Sequence, residues 1–181
     1  VRAGDLAGVP ALIEGFAHES RVVRLSQAVE ALVRVGAPAV PALEAALADP
    51  RACVRVDAAI ALGRIDPTRR EGLVPLAIAA LKDEDHAATR DAVTLLSEAG
   101  ARAAIPALIE LMEAPVALED PEAWETDRRA IVATVLARLA APRDETETAE
   151  PVALAALANA LRADAPAARW GAARAMELLG D

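Results

Sequence analysis

Residues 49–65 read DPRACVRVDAAIALGRI, and their spacing decides the fold. Asp49 can cap a helix, and Pro50 suits the first helical position, where a missing N–H costs nothing. Val54, Ala58, Ala61, Leu62 and Ile65 then recur at three- and four-residue intervals, which draws one apolar stripe along an α-helix. The same pattern is written several times in the chain, so its repetition matters more than any single helix.

Working outward, residues 40–65 (VPALEAALADPRACVRVDAAIALGRI) shifted by 34 positions lie without a gap on residues 74–99 (VPLAIAALKDEDHAATRDAVTLLSEA). Pro41 meets Pro75, Leu47 meets Leu81, Asp49 meets Asp83, Ala58 meets Ala92 and Leu62 meets Leu96. Toward the N-terminus, VPAL at 9–12 matches VPAL at 40–43, and AVEALVRV at 28–35 matches 58–65. Toward the C-terminus, IPAL at 105–108 repeats the first half and residues 129–139 the second. A fifth copy runs from about Val152 to Leu179, with Ala155 in place of the proline.

The chain therefore divides into five units, at about 5–36, 37–66, 71–100, 102–141 and 149–180, within a single repeat domain over 1–181. Each unit reads as a short first helix opening near a proline, an acidic turn (Glu19, Asp49, Asp83, Asp120, Asp164) and a longer second helix. The expected helix pairs are 5–17 and 20–35, 38–48 and 50–64, 71–82 and 84–98, 102–113 and 121–140, and 149–162 and 166–179. Gly36, Gly100 and Gly180 stand where second helices should end, as C-cap glycines do.

The composite pattern of Pro-x-Leu, acidic turn and Val-Arg-x-x-Ala-Ala-x-x-Leu-Gly-x-Ile resembles HEAT repeats, closest to the HEAT-like repeats of the phycobilisome-lyase type. The resemblance covers almost the whole chain and is fullest in unit 2. It implies an all-α, right-handed α-solenoid of about five hairpins, with first helices on the convex side and second helices on the concave side. It also implies a ladder between neighbouring units, built from the turn Asp and the Arg of Val-Arg: Asp49, Arg55, Asp83, Arg129, Asp164 and Arg169. Units 1 and 3 carry Leu25 and Thr89 at the Arg position, so the ladder is expected to be interrupted. Repeats of this kind mostly scaffold other proteins, and fold alone does not assign an activity.

Composition agrees with a helical chain. Apolar residues are 55% and aromatics only 2%, so the apolar content is mainly Ala, Leu and Val rather than strand formers. The net charge of −9 disfavours phosphate-rich partners, and nucleic acid is not expected. No apolar run reaches the roughly 18 residues of a membrane span. Cys53 is alone, which rules out an internal disulfide and fits a reducing, cytoplasmic setting. The start at Val1 suggests a processed chain or a piece of a longer protein.

No residue pattern carries catalysis. His18 and His86 fall near turns without ligand spacing, Cys53 has no identifiable base, and the glycines form no phosphate loop. No metal or cofactor is expected. Three features point to a partner instead. The solvent side of the second helices carries one row of Glu30, Ile60, Thr94, Thr134 and Arg174, and another of Arg34, Arg64, Glu98, Arg138 and Leu178, with Asp57 also facing the groove. Such a basic row could hold an acidic segment, although Arg34, Arg64 and Arg138 would equally complement the negative ends of their helices.

The second feature is a nine-residue excess in unit 4 within APVALEDPEAWETD (114–127), where a helix starting at Pro121 would carry Trp124 beyond the stack or fold it over residues 115–118. The third is Trp170, which aligns with Val56, Arg90 and Ala130 at a solvent-leaning position near the end of the chain. The expectation is a non-enzymatic scaffold or adaptor, binding another protein or acidic peptide segment through Arg34, Arg64, Arg138, Arg174, Trp124 or Trp170. Self-association through the ends, a bilin-lyase-like subunit in chromophore attachment and a regulatory domain of a larger protein stand as alternatives.

Overall fold

The computed structural model describes residues 6–17, 21–114, 123–142, 147–162 and 166–179. Among these every element is helical: ten α-helices and five short 3-10 turns, with no strand. The chain forms two compact units, Val1–Ala99 and Gly100–Asp181.

The first unit contains α1 (Val9–Glu14), α2 (Arg21–Val35), α3 (Val40–Ala46), α4 (Ala52–Ile65), α5 (Arg70–Ala80) and α6 (His86–Ala99). Each odd-numbered helix packs on the one that follows it, and α4 also packs against α2 and α6. Helix α4 is therefore covered on several sides, and from Ala52 to Gly63 only Arg55 escapes full burial. This corrects the expected groove-facing positions. Ile60 is 4% exposed and Asp57 is wholly buried, because a central helix flanked by two others presents more than one stripe to its neighbours. The core is filled by Phe16, Val29, Leu32, Leu43, Leu62, Leu95 and Leu96, each contributing about 1.5–3 kcal/mol through burial.

The turn at residues 49–51 also differs from its expected form. Helix α4 starts at Ala52 behind an extended Arg51, so Asp49 is not its cap and Pro50 not its first residue. Instead the Asp49 carboxylate accepts the Arg51 backbone N–H at 2.9 Å and the Arg51 guanidinium at 2.9 Å, which closes a side-chain turn of the kind Asp favours. The same device recurs 34 residues on, where Asp83 accepts the N–H of Asp85 at 3.0 Å. There the capping role belongs to Asp85, whose carboxylate accepts the N–H groups of Ala87 and Ala88 at 3.0 and 3.3 Å.

First helices are short because several of them open through a 3-10 turn, as at Ala37–Ala39 and Pro67–Arg69. Pro10 and Pro41 fall in the first positions of their helices. Pro75 lies inside α5, since the Asp66 carboxylate caps the preceding turn through Thr68 and starts the helix earlier. Second helices α2 and α6 end at Gly36 and Gly100, whose φ of 71° and 61° place them in the left-handed region that glycine tolerates. Gly180 lies outside the described residues.

The second unit contains α7 (Ile105–Glu113), α8 (Ala123–Ala140), α9 (Pro151–Ala160) and α10 (Pro166–Leu179). Helix α8 packs on α7, α9 and α10, and among the described helices its backbone is most closely approached by that of α10. The reason is side-chain size. Ala130, Ala133, Ala137, Gly171, Ala172 and Ala175 are all buried. A Cβ added at Gly171 would lie 2.3 Å from the Ala130 Cα, so the two backbones touch where no side chain fits. The expected helix start at Pro121 lies outside the described residues.

Arginines at the entry to first helices close the ends of second helices. In the first unit, Arg70 Nε donates to the Gly63 carbonyl at 2.8 Å and Nη1 to the Glu98 carbonyl at 3.3 Å. In the second, Arg102 Nε donates to the Leu139 carbonyl at 3.0 Å and Nη2 to Ala141 at 2.5 Å, and Arg102 also pairs with Glu147 at 2.9 Å. Helix ends leave four carbonyls without intrahelical partners, and a planar fork of donors satisfies two at once.

Candidate functional site, the face shared by helices α8 and α10

Helix α9 lies between α8 and α10 in the chain and packs on both; in two successive helical hairpins of this kind the third helix runs in the sense of the first. For two helices in the same sense, the residue after a contact point on one and the residue before it on the other lie on the same side. Around the Ala130–Gly171 contact these are Ile131 and Trp170. Both are exposed, Ile131 at 38% and Trp170 at 64%. A tryptophan left so open in water is unusual, because its ring normally dominates cores and interfaces.

Helical periodicity extends this face. From Ile131, steps of three and seven reach Thr134, half-buried, and Arg138, exposed. From Trp170, steps of four and seven reach Arg174 and Glu177, both exposed. The result is an apolar pair at one level and two guanidinium groups a turn or two further along. Among the described residues neither Arg138 nor Arg174 is held in an ion pair, and Glu177 does not neutralise Arg174. The face so defined carries two arginines, Arg138 and Arg174, against the single acid Glu177. This face is locally cationic in a chain of net charge −9.

The first unit treats its basic row differently. Arg64 Nη2 lies 2.7 Å from Glu98 Oε1, and Nη1 3.0 Å from Glu30 Oε1. Glu30, Arg64 and Glu98 are spaced at 34-residue intervals on α2, α4 and α6, so Arg64 is clamped between two carboxylates of its own fold. The hydrogen bond that Arg64 donates to the Glu98 carboxylate holds the Arg64 pKa above its ordinary value. Arg34 is exposed on α2.

The ladder residues are placed unevenly. Arg55 Nη1 donates to the Asp49 and Pro50 carbonyls at 2.8 and 2.7 Å, and its Nη2 stands 4.0 Å from Asp83 Oδ2. In the second unit Arg129 Nη2 donates to the Ala114 carbonyl at 3.2 Å, while its Nε is buried without a hydrogen bond. Thr89, in the Arg position of unit 3, shares its hydroxyl among the carbonyls of Ala80, Asp83 and Asp85 at 3.3–3.4 Å. Arg169 is exposed on α10. Asp164 lies outside the described residues, and so does the side chain of Trp124 in the first turn of α8.

Reading the sequence missed Ile131, Arg70 and Arg102. Ile131 was legible in principle, being three residues before Thr134 on the same helical face. It shares a repeat position with Asp57 and Asp91, which are buried in the first unit, so its exposure is not a property of the repeat position. The capping arginines carried no signal, since their carbonyl partners are identified only by tertiary packing. Other sites are plainer. Cys53 is buried. Among the described residues no three His, Cys, Asp or Glu side chains gather as a metal site requires, and no helix is long and apolar enough to cross a membrane. Compared with models of protein families and with curated proteins, the chain matches none.

Proposed function

We propose that this chain is a HEAT-like helical-repeat module that binds another protein, and that the binding surface is the α8/α10 face around Trp170. The observation that carries the reading is the exposure of Trp170 at 64%, with Ile131 also exposed at 38%. Trp170 sits over a helix pair locked together by backbone contact at Gly171. Rigid helices presenting one large aromatic with polar surroundings match the anatomy of an interface hot spot, where tryptophan and arginine are enriched. In this reading the first unit supplies scaffold, because its central cation, Arg64, is already neutralised within the fold.

The test is comparative capture. The intact protein and its Trp170→Ala variant are used as bait in an extract of the native cell, with in-cell cross-linking as a second route. The reading expects a partner that the wild type retains and the variant loses. The same bound set on both baits would overturn the placement of the surface.

A further inference from the structure

We infer that the occupant of the α8/α10 face is a linear acidic segment of a partner protein, carrying one aliphatic or aromatic anchor and a carboxylate two or three residues away. This rests on the reading of that face as a protein-binding surface and adds the chemistry of what binds there. Two observations carry it. The first is the separation of character along the face, with Ile131 and Trp170 exposed at one level and Arg138 and Arg174 exposed beyond them. The second is charge. Both guanidiniums are without an ion pair among the described residues, in a chain whose net charge is −9.

The spacing follows from helix geometry. Trp170 and Arg174 are separated by about 6 Å along α10, and Ile131 and Arg138 by about 10 Å along α8, at 1.5 Å per residue. An extended peptide advances about 3.3 Å per residue, so an anchor seated against Trp170 places a carboxylate two or three residues on at the level of the arginines. Arginine suits this role because its planar fork grips a carboxylate through two donors. The apolar anchor gains from water exclusion over the indole, and the carboxylate fixes direction and register.

A nucleic acid would use the same cations, but two arginines beside an indole neutralise too few phosphates against the negative field of the chain. A second copy of the chain would have to cover an indole and two cations with a surface that is acidic on average yet cationic on this face. A contact of the face with itself would oppose like charges.

The test is selection of a random dodecapeptide display library on the intact protein, followed by fluorescence anisotropy of the selected peptides. The expected consensus is an aliphatic or aromatic residue with Asp or Glu two or three positions away. Affinity should fall about tenfold or more in Trp170→Ala and in Arg138→Glu combined with Arg174→Glu, with helicity by circular dichroism unchanged. Arg34→Glu, in the other unit, should leave affinity unchanged. Ile131→Ser replaces Trp170→Ala as the anchor variant if the latter loses helicity. A basic or charge-free consensus that still depends on Trp170 overturns the acidic segment and leaves the binding surface standing. Peptide binding insensitive to every variant on the face overturns both. Failure of any peptide to enrich overturns the segment. So does Trp170-dependent binding of a single-stranded DNA dodecamer, or Trp170-dependent dimerisation in sedimentation velocity.

Discussion

Arg64 and Glu98, 34 residues apart in sequence, meet at 2.7 Å between Nη2 and Oε1 across the packed helices α4 and α6. Glu30 on α2 closes the other side of the same guanidinium at 3.0 Å. One arginine thus joins three successive second helices, and Arg64, one member of the charge row read from the sequence as a partner site, is held within the fold.

Removing that tie has a measurable consequence. Arg64→Ala should lower stability by about 1 kcal/mol in urea unfolding, since the pair with Glu98 is half-buried and forked while that with Glu30 is more open to water. Glu98→Ala should cost more than Glu30→Ala. The Arg64–Glu98 coupling in a double-mutant cycle should shrink in 1 M salt.

The α8/α10 contact predicts opposite outcomes for two glycines. Gly171→Ala forces a Cβ to within 2.3 Å of the Ala130 Cα, and overpacking of this kind costs about 1–3 kcal/mol. Gly72 lies exposed inside α5 with nothing within 4 Å of an added Cβ. Gly72→Ala should therefore stabilise by about 0.5–1 kcal/mol through helix propensity. Thermal unfolding of the two single variants checks both signs.

The Arg102 fork predicts a capping loss. Arg102→Ala leaves the carbonyls of Leu139 and Ala141 without that donor, which should cost about 1–2 kcal/mol. Arg102→Lys should restore less than half, because an ammonium lacks the planar fork. Hydrogen exchange should show the effect concentrated at the end of α8 and in the connection that follows.

Stability should fall in acid partly through Asp49. The hydrogen bond from the Arg51 side chain holds its carboxyl at about 2, below its ordinary value of 3.8. Because the folded value is lowered, the stabilisation is fully present above the ordinary value and fades as pH falls from about 4 to 2. Asp66, lowered by hydrogen bonding from Thr68, acts with the same sign. Asp49→Asn should flatten the dependence of unfolding free energy on pH across that window and change little between pH 5 and 7.

The helices were legible from residues 40–65 and their gapless copy because an apolar period near 3.6 has one solution when Gly and Pro punctuate its ends. The glycine stops at Gly36 and Gly100 followed from the same reasoning, since only glycine reaches φ of 71° and 61° without strain. The start of α4 was misplaced by the Asp-Pro pair. A carboxylate that can cap a helix can also close a turn one step earlier, and Arg51 decides between them through a side-chain contact that local sequence does not weigh.

What the residues determined by themselves is the all-helical character, the pairing of short and long helices and the recurrence at 34 positions, because these depend on local propensity and hydrophobic period. What only tertiary structure decided is which side of each second helix faces water. Ile60 and Asp57 are buried because α2 and α6 flank α4. At the Asp57 repeat position in the second unit, Ile131 stays exposed. Burial is a property of neighbours, and equivalent positions in a repeat do not have equivalent neighbours. The same holds for Arg64 and Arg138, alike in sequence register, one held between two carboxylates and the other exposed beyond Trp170.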